Sequence, residues 1–386
     1  MALDPETRQQ LLATLRRFVD ERLLPLEHQV AEEDKIPVTL IAEMKELGLF
    51  GLSIPEEYGG LGLAMSDEVE AILVLGRAAP AFRSIFGTNV GIGSQGIFID
   101  GTEEQKQKYL PKLASGEIIG SFALTEADVG SDAASVKTSA RRDGENYILN
   151  GTKRFITNAP YAGLFTVMAR TNPEIIGGGG VSAFLVEAGS EGLSLGKPEK
   201  KMGQQGAHVC DVIFDNCAVP VENLIGCVEG QGFKTAMKVL DRGRLSISAA
   251  CCGLAERICD DALAYAIERE QFGKPICEFQ LVQAMLADSR AEILAATALV
   301  RETARKKDVG LKVATEASCC KMFASEMVNR VADRNVQIHG GNGYIREYSA
   351  EQLYRDSRLY RIYEGTTQIQ QIVIARNMIR KARLQA

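Results

Sequence analysis

The stretch Ile362-Tyr363-Glu364-Gly365-Thr366-Thr367-Gln368 sets one carboxylate in a short loop immediately ahead of a helix. Ile369, Ile372, Val373 and Arg376 follow at helical spacing. Thr367 and Gln370 have the T-x-x-Q spacing of a capping box. The pattern therefore holds Glu364 with a glycine and a helix cap, a good position for a carboxylate that must be aimed. Most glutamates beside a helix N-terminus only complement the helix dipole, so the rest of the chain has to decide between the two readings.

Working outward, the helix that opens at Thr367 is the last of four long helical runs, at roughly 232–268, 279–306, 311–337 and 367–381. Ahead of them the pattern changes to alternation. Val136, Thr138 and Ala140 alternate with polar residues, Asp143-Gly144 and Asn150-Gly151 are hairpin signals, and strands follow near 154–157, 164–170, 181–187 and 209–215. The glycine run 177–180 reads as a flexible loop and, without a Lys-Ser/Thr partner, not as a P-loop. The first 120 residues are again helical, with runs at 6–30, 37–47, 66–79, 82–99 and 103–113. The expected organisation is α+β, mainly α: an N-terminal helical domain (1–120), a middle antiparallel β-domain (121–231) and a C-terminal four-helix bundle (232–386). It lacks the βαβ alternation of a dinucleotide-binding fold. Gly91-Ile92-Gly93-Ser94-Gln95-Gly96 therefore reads as close packing or a pocket wall, although it spells G-x-G-x-x-G.

Composition narrows the function classes. A net charge of −6 with scattered lysines and arginines argues against nucleic acid as the partner. No apolar stretch is long enough to span a bilayer. The acidic start Met1-Ala2-Leu3-Asp4-Pro5-Glu6 has no targeting pattern, which predicts a cytoplasmic, bacterial-type chain; a mature mitochondrial-matrix chain would look the same. Nine cysteines without C-x-x-C spacing read as reduced thiols. Three histidines (His28, His208, His339) make a metal centre or a Ser-His-Asp triad a poor expectation.

Several short motifs are individually weak. Phe122 to Asp132 could hydrogen-bond a flat polar ring, Asp241-Arg242-Gly243-Arg244 could hold a polar ligand, Arg269 to Pro275 ends a helix, and Gln337 to Tyr344 closes another with a glycine cluster that lets a ligand approach the backbone. Their order is specific. With Pro55 to Gly60, Ile156-Thr157-Asn158, Lys201-Met202-Gly203, Val219-Pro220 with Asn223, and Tyr354-Arg355-Asp356, the chain resembles the acyl-CoA dehydrogenase family over essentially its whole length.

That resemblance implies FAD between the β-domain and the bundle, an acyl-CoA substrate, an electron-transferring flavoprotein as acceptor, and a homotetramer built as a dimer of dimers. It places Phe122, Leu124, Thr125, Gly130, Ser131, Phe155, Ile156, Thr157, Thr366 and Gln368 at the flavin. Arg269, Gln271 and the loop with Gln337, Ile338, Gly340 and Gly341 would reach the FAD of a neighbouring subunit, and Phe272, Phe279 and Gln280 are further cofactor-binding positions it implies. Ser131, Asp241, Arg244, Tyr363 and Gly365 would meet the substrate, and Glu364 would be the base that removes its α-proton. The branch of the family that carries its base on the long helix has a glutamate where this chain has Gly243. Two departures stand out: Phe155 replaces a common tryptophan, and the loop holding His208 is not the usual Ser/Thr-rich one. Gly87, Gly91, Gly93 and Gly96 suggest room for a medium or long acyl chain. An acyl-CoA oxidase and a non-catalytic flavin or acyl-CoA binding protein are the alternatives.

Overall fold

The computed structural model describes residues 2–385. Helices α1 (Pro5–Phe18), α2 (Glu27–Glu33), α3 (Val38–Glu46), α4 (Met65–Leu75), α5 (Pro80–Thr88), α6 (Gln95–Asp100) and α7 (Glu103–Ala114) form the first part. The ends are set by local chemistry. Asp4 accepts the N–H groups of Glu6 and Thr7 at 3.0 Å, and Thr102 with Gln105 forms a reciprocal capping box.

Two expected runs are interrupted. The 6–30 run breaks at a turn containing Pro25, which has no N–H to donate. The 82–99 run breaks at Asn89–Gly93, a widened turn around the buried Asn89 side chain. That amide donates to the carbonyls of Phe50 (3.0 Å) and Leu113 (2.9 Å) and accepts from the Gly120 N–H (2.8 Å), stitching three segments together. The glycines of the G-x-G-x-x-G string serve this packing: a Cβ on Gly93 would lie 3.0 Å from the Gly120 carbonyl carbon.

The sheet contains β1 (Gly120–Ala123), β2 (Ser139–Asp143), β3 (Asn146–Thr157), β4 (Leu164–Arg170), β5 (Val181–Glu187), β6 (Leu193–Leu195) and β7 (Val209–Pro220). Strands β2, β3, β7 and β6 pair antiparallel, as do β4 and β5, but β1 and β2 run parallel to β4. The expected antiparallel β-domain is thus mixed along one edge. The reason is topological: β1 arrives from the helical domain and β4 from a crossover, so they share a direction. β1 covers β4 from Leu164 to Val167, and β2 takes up the same edge only at Arg170. The segment between them, 124–138, leaves the sheet there.

The C-terminal part comprises α8 (Gly232–Glu268), a small hairpin of β8 (Glu270–Gln271) and β9 (Lys274–Pro275), α9 (Gln280–Asp308), α10 (Ala314–His339), α11 (Ser349–Ser357) and α12 (Thr367–Gln385). Helix α8 carries a buried run of small residues, Ala249 to Gly253, against α4. Backbones nearly touch there: a Cβ on Gly76 would sit 3.0 Å from the Ala250 Cα. One apolar core runs through both helical parts, and a second fills the sheet. No helix among the described residues is long and apolar enough to cross a membrane.

Candidate active site

A cavity of about 470 Å³ opens between α5, the loop after β1, the end of β3, α8 and the start of α12. Phe122, Leu124, Thr125, Gly130 and Ser131 form one wall with Phe155, Ile156 and Thr157; Arg244, Tyr363, Glu364 and Gly365 face them. Twelve of the positions read from sequence therefore meet in one space.

The β-side wall is held rigidly. Glu126, inside the loop, accepts from the Thr138 hydroxyl (2.6 Å), the Thr138 N–H (2.9 Å) and the Lys137 N–H (2.8 Å). Its Oε1 also takes a hydrogen bond from Lys153 Nζ at 2.7 Å, and the same ammonium donates to the Leu124 carbonyl at 3.2 Å. Burial would push the Glu126 carboxyl up, but Lys153 and the donors hold it below its usual range. Burial brings the Lys153 amine down to about 8 despite that partner. Beside Lys153 the ladder between β3 and β7 slips, and Phe155 takes φ of +58°. The bulge turns the ring out of the sheet, leaving it 54 % exposed on the cavity wall.

Glu364 also has a left-handed backbone, φ +55°, which costs energy for a residue with a Cβ. The surrounding loop fixes it. Lys321 Nζ, on α10, donates to the Gly365 carbonyl at 2.7 Å, and Gln370 Nε2 donates to the carbonyls of Glu364 and Gly365, each at 3.1 Å. The capping box expected from Thr367 and Gln370 is not formed. The Ile369 N–H is capped by the Thr366 hydroxyl (3.2 Å), while Thr367 donates to Glu326 (2.7 Å). Gln370 is drawn back to the loop carbonyls because these would otherwise be buried without donors.

The carboxylate itself is poorly satisfied. Glu364 Oε2 is buried without a hydrogen-bond partner among the described residues. Desolvation raises its pKa, opposed by Arg83, Lys321 and Arg244. No acceptor within the described residues takes the Glu364 N–H. Gly243, on α8, lies directly under the carboxylate: a Cβ there would overlap Oε2 and come within 3.1 Å of the carboxyl carbon.

Asp241 does not line the cavity but forms an ion pair with Arg244 at 2.6 Å. Thr366 and Gln368 sit at the start of α12 outside the wall, the second exposed. Arg269, Gln271, Phe272, Phe279, Gln280, Gln337, Ile338, Gly340 and Gly341 are elsewhere, at the far end of α8 and the close of α10. From Gly243 to Arg269 the helix runs roughly 40 Å, at about 1.5 Å per residue. Arg269 makes no ion pair among the described residues, and Phe272 is 94 % exposed. His208 is not in the cavity; it joins Tyr161 (2.6 Å) to the Asp34 carbonyl (2.6 Å) at the seam between the helical part and the sheet. Of the four glycines expected to give an acyl chain room, only Gly87 reaches the cavity, and the Arg83 side chain fills the space over it.

Sequence reading missed Arg83, Lys201, Gln204 and Ile247 on the wall and Lys321 behind the loop. Two of them had a signal. Arg83 is the lone charge in Pro80-Ala81-Phe82-Arg83-Ser84-Ile85-Phe86, and Lys321 the lone charge in Ser318-Cys319-Cys320-Lys321-Met322-Phe323-Ala324. A charge in an apolar helical run is retained for a partner.

An unpaired carboxylate and an outward-turned aromatic ring thus line one cavity between the sheet and the helix bundle, an arrangement suited to a flat cofactor beside a base. The comparisons give the family. The chain matches the acyl-CoA dehydrogenase N-terminal domain over residues 5–117, the middle domain over 121–217 and the C-terminal domain over 230–379. It is 42 % identical to an acryloyl-CoA reductase (NADH) of Anaerotignum propionicum, covering 97 % of this chain and 95 % of that one. Butyryl-CoA dehydrogenase of Megasphaera elsdenii superposes with a TM-score of 0.94 at 35 % identity, over 98 % of this chain and 99 % of that one. An acyl-CoA dehydrogenase of Bacillus anthracis complexed with FAD gives 0.92 at 36 % identity, over 99 % of this chain and 69 % of that one. The chain belongs to the acyl-CoA dehydrogenase family, and its cofactor is FAD. The cavity fits that group. The Phe155 ring offers a face, and the hydroxyls of Thr125, Ser131 and Thr157 line the wall without a partner among the described residues.

Proposed function

We propose that this protein dehydrogenates an acyl-CoA thioester between its α and β carbons, giving a trans-2-enoyl-CoA, with Glu364 as the base. The observation that carries this reading is the Glu364 carboxylate: it lines the same cavity as Phe155, one oxygen lacks a partner among the described residues, and burial raises its pKa. FAD, when bound, takes the β-hydrogen as hydride.

The chain's own part is to move a proton and hold charge. Loss of the α-proton puts negative charge on the thioester oxygen. The Glu364 N–H, without an acceptor among the described residues, is the donor we assign to that oxygen. A desolvated carboxylate is a stronger base than one in water, and the +55° backbone held by Lys321 and Gln370 fixes its direction. Arg244 and Asp241, beside the loop, are assigned to the polar part of the substrate.

The same atoms serve the reverse reduction, with Glu364 returning the proton. The similarity to an acryloyl-CoA reductase supports that direction as well. An electron-transferring flavoprotein is the proposed electron partner on family grounds; electrons passing to oxygen instead would make the protein an oxidase. The exposed group around Arg269, Phe272 and Gln337 is proposed to serve a neighbouring subunit of a homotetramer.

Glu364→Gln tests the central step. The variant should retain FAD and lose at least about 10³-fold in turnover with acyl-CoA and an electron-accepting dye. Turnover near that of the parent would remove Glu364 from the mechanism.

A further inference from the structure

Two walls of the cavity come from different parts of the chain. Phe155 to Thr157 end a strand of the sheet, and Glu364 stands in the loop ahead of α12. The segment 201–209, which leads into β7, joins them, and its Gln204, Ala207 and Val209 line the cavity.

Toward the sheet this segment is tied through the backbone. Val209 pairs with Thr157 and Cys210 with Ile156, and the Asn158 N–H donates to the His208 carbonyl at 2.9 Å. Toward the C-terminal part it is tied by α11. The buried Asp356 carboxylate accepts from the Gln204 N–H, and Gln204 Nε2 donates to the Asp356 carbonyl at 3.1 Å. Arg355 donates to the Met202 carbonyl at 2.8 Å. Gly203 permits this approach, because a Cβ there would lie 2.7 Å from both Asp356 Oδ1 and the Arg355 carbonyl carbon.

Gln204 sits where these ties converge. It is 2 % exposed and has φ of +55°, a strained backbone for a residue with a Cβ. Its side-chain amide is also a hydrogen-bonding neighbour of the Tyr363 hydroxyl, and Tyr363 directly precedes Glu364. One buried amide thus touches both the stem and the tip of the segment that carries the base.

We propose that Gln204 is a positioning residue, which sets the separation between the wall that receives the flavin and the loop that carries Glu364. This role rests on the dehydrogenase reading of the cavity and deepens it by naming what keeps the two bond-breaking steps in register.

The physical case is one of distance. The α-proton leaves to Glu364, and the β-hydrogen leaves with its electron pair to the flavin. One acyl chain has to meet both acceptors, so their separation is fixed by the substrate. A misplacement of about 1 Å costs about 10²-fold. The groups that hold the base, Lys321 and Gln370, lie within the C-terminal part. A shift between the walls therefore leaves proton removal intact and penalises hydride loss. Damage to the base or to the fold would lower both. The competing role for Gln204 is packing alone, with Asp356 and Arg355 fixing the segment whatever side chain stands there.

The test separates the two steps on the holoenzyme. Gln204→Met keeps the volume and removes the amide; Gln204→Gly removes the side chain and suits the left-handed backbone. Acetyl-CoA has α-hydrogens but no β-carbon, so its deuterium uptake from heavy water, read by mass spectrometry, reports proton removal alone. The Glu364→Gln variant sets the zero of that readout. Flavin bleaching by saturated acyl-CoAs without oxygen reports both steps. Both Gln204 variants should keep the parent's flavin content, and acetyl-CoA exchange and KM should stay within about threefold, while bleaching slows by about 100-fold. Equal loss in the two readouts overturns the proposal, because Gln204 then serves the base or the fold. So does bleaching within about threefold of the parent, which leaves packing alone, and so does a change confined to KM, which makes Gln204 a substrate contact. A parent that bleaches without exchanging acetyl-CoA removes the separation of steps on which the proposal stands. If no saturated acyl-CoA bleaches the parent, the dehydrogenase reading itself falls; a parent that bleaches beside unchanged variants removes only the role of Gln204.

Discussion

Replacing Gly243 with alanine should separate stability from catalysis. The position lies inside α8, where alanine is favoured over glycine by about 1 kcal/mol. Against that gain stands a clash. The new Cβ would overlap Glu364 Oε2 and sit 3.1 Å from the carboxyl carbon and 3.4 Å from Oε1. The obstructing atoms are the far end of a side chain, so the carboxylate can swing aside. Overpacking of this kind costs about 1–3 kcal/mol when the backbone must shift and less when one rotamer yields. The net change in stability should therefore be small, within about 1 kcal/mol. The catalytic effect should be large. The backbone at Glu364 is pinned by Lys321 and Gln370, so the side chain has to absorb the whole displacement. Moving a reacting atom by about 1 Å can cost 10²-fold, or about 2.7 kcal/mol of barrier. Gly243→Ala protein should melt near the parent, hold FAD, and lose about 100-fold in kcat/KM for its acyl-CoA. Activity within threefold of the parent, with the melting point unchanged, would refute the placement of Glu364 over Gly243.

Three further outcomes follow from the same geometry. Lys321→Met removes the donor to the Gly365 carbonyl and one of the three cations, with Arg83 and Arg244, that oppose desolvation of Glu364. The pKa of the base then rises further and, since the carboxylate is the working form, the ascending limb of kcat/KM against pH should move to higher pH; a limb that stays put counts against this role. Lys153→Met strands the buried Glu126 carboxylate, whose partner side chain is 0 % exposed, and should cost about 3–5 kcal/mol in a denaturant titration. Adding Glu126→Gln to that variant should recover part of the loss, and a strictly additive pair would show that the two side chains do not act together. Phe155→Ala should weaken FAD retention by about 2–10-fold, the worth of one aromatic contact, measured as flavin content after dialysis; unchanged retention would take the ring out of the flavin site.

The fold was legible where periodicity is long. Helix α8 spans 37 residues, and the helix and strand patterns there and in the sheet leave little choice of element type. The misses have particular causes. Pro25 and Asn89 interrupt two helical runs, the first by lacking a donor and the second by using a side chain to satisfy three segments at once. The parallel pairing of β1 and β2 with β4 carries no local signal, because strand direction depends on the path between strands and not on alternation within them. The capping assignment slipped by one residue, from Thr366 to Thr367, since adjacent threonines have equal local preference and only the Glu326 carboxylate on α10 separates them.

The site shows the same division more sharply. Residues on one continuous loop, such as Thr125 to Ser131, or on one strand end, Phe155 to Thr157, are close in sequence because backbone geometry demands it, and reading them together places them together. Arg83, Lys321 and Gly243 reach Glu364 from three different helices, and no spacing rule connects them. What marks such residues is a mismatch between the side chain and its own element. An arginine inside Pro80 to Phe86, a lysine inside Ser318 to Ala324 and a glycine inside α8 each weaken the helix or the core they belong to. A fold tolerates such a cost where another requirement imposes it. For Lys321 the requirement is the Gly365 carbonyl, and for Gly243 it is the volume of the Glu364 carboxylate. For Arg83 it is the Glu364 carboxylate, whose charge this arginine favours against desolvation.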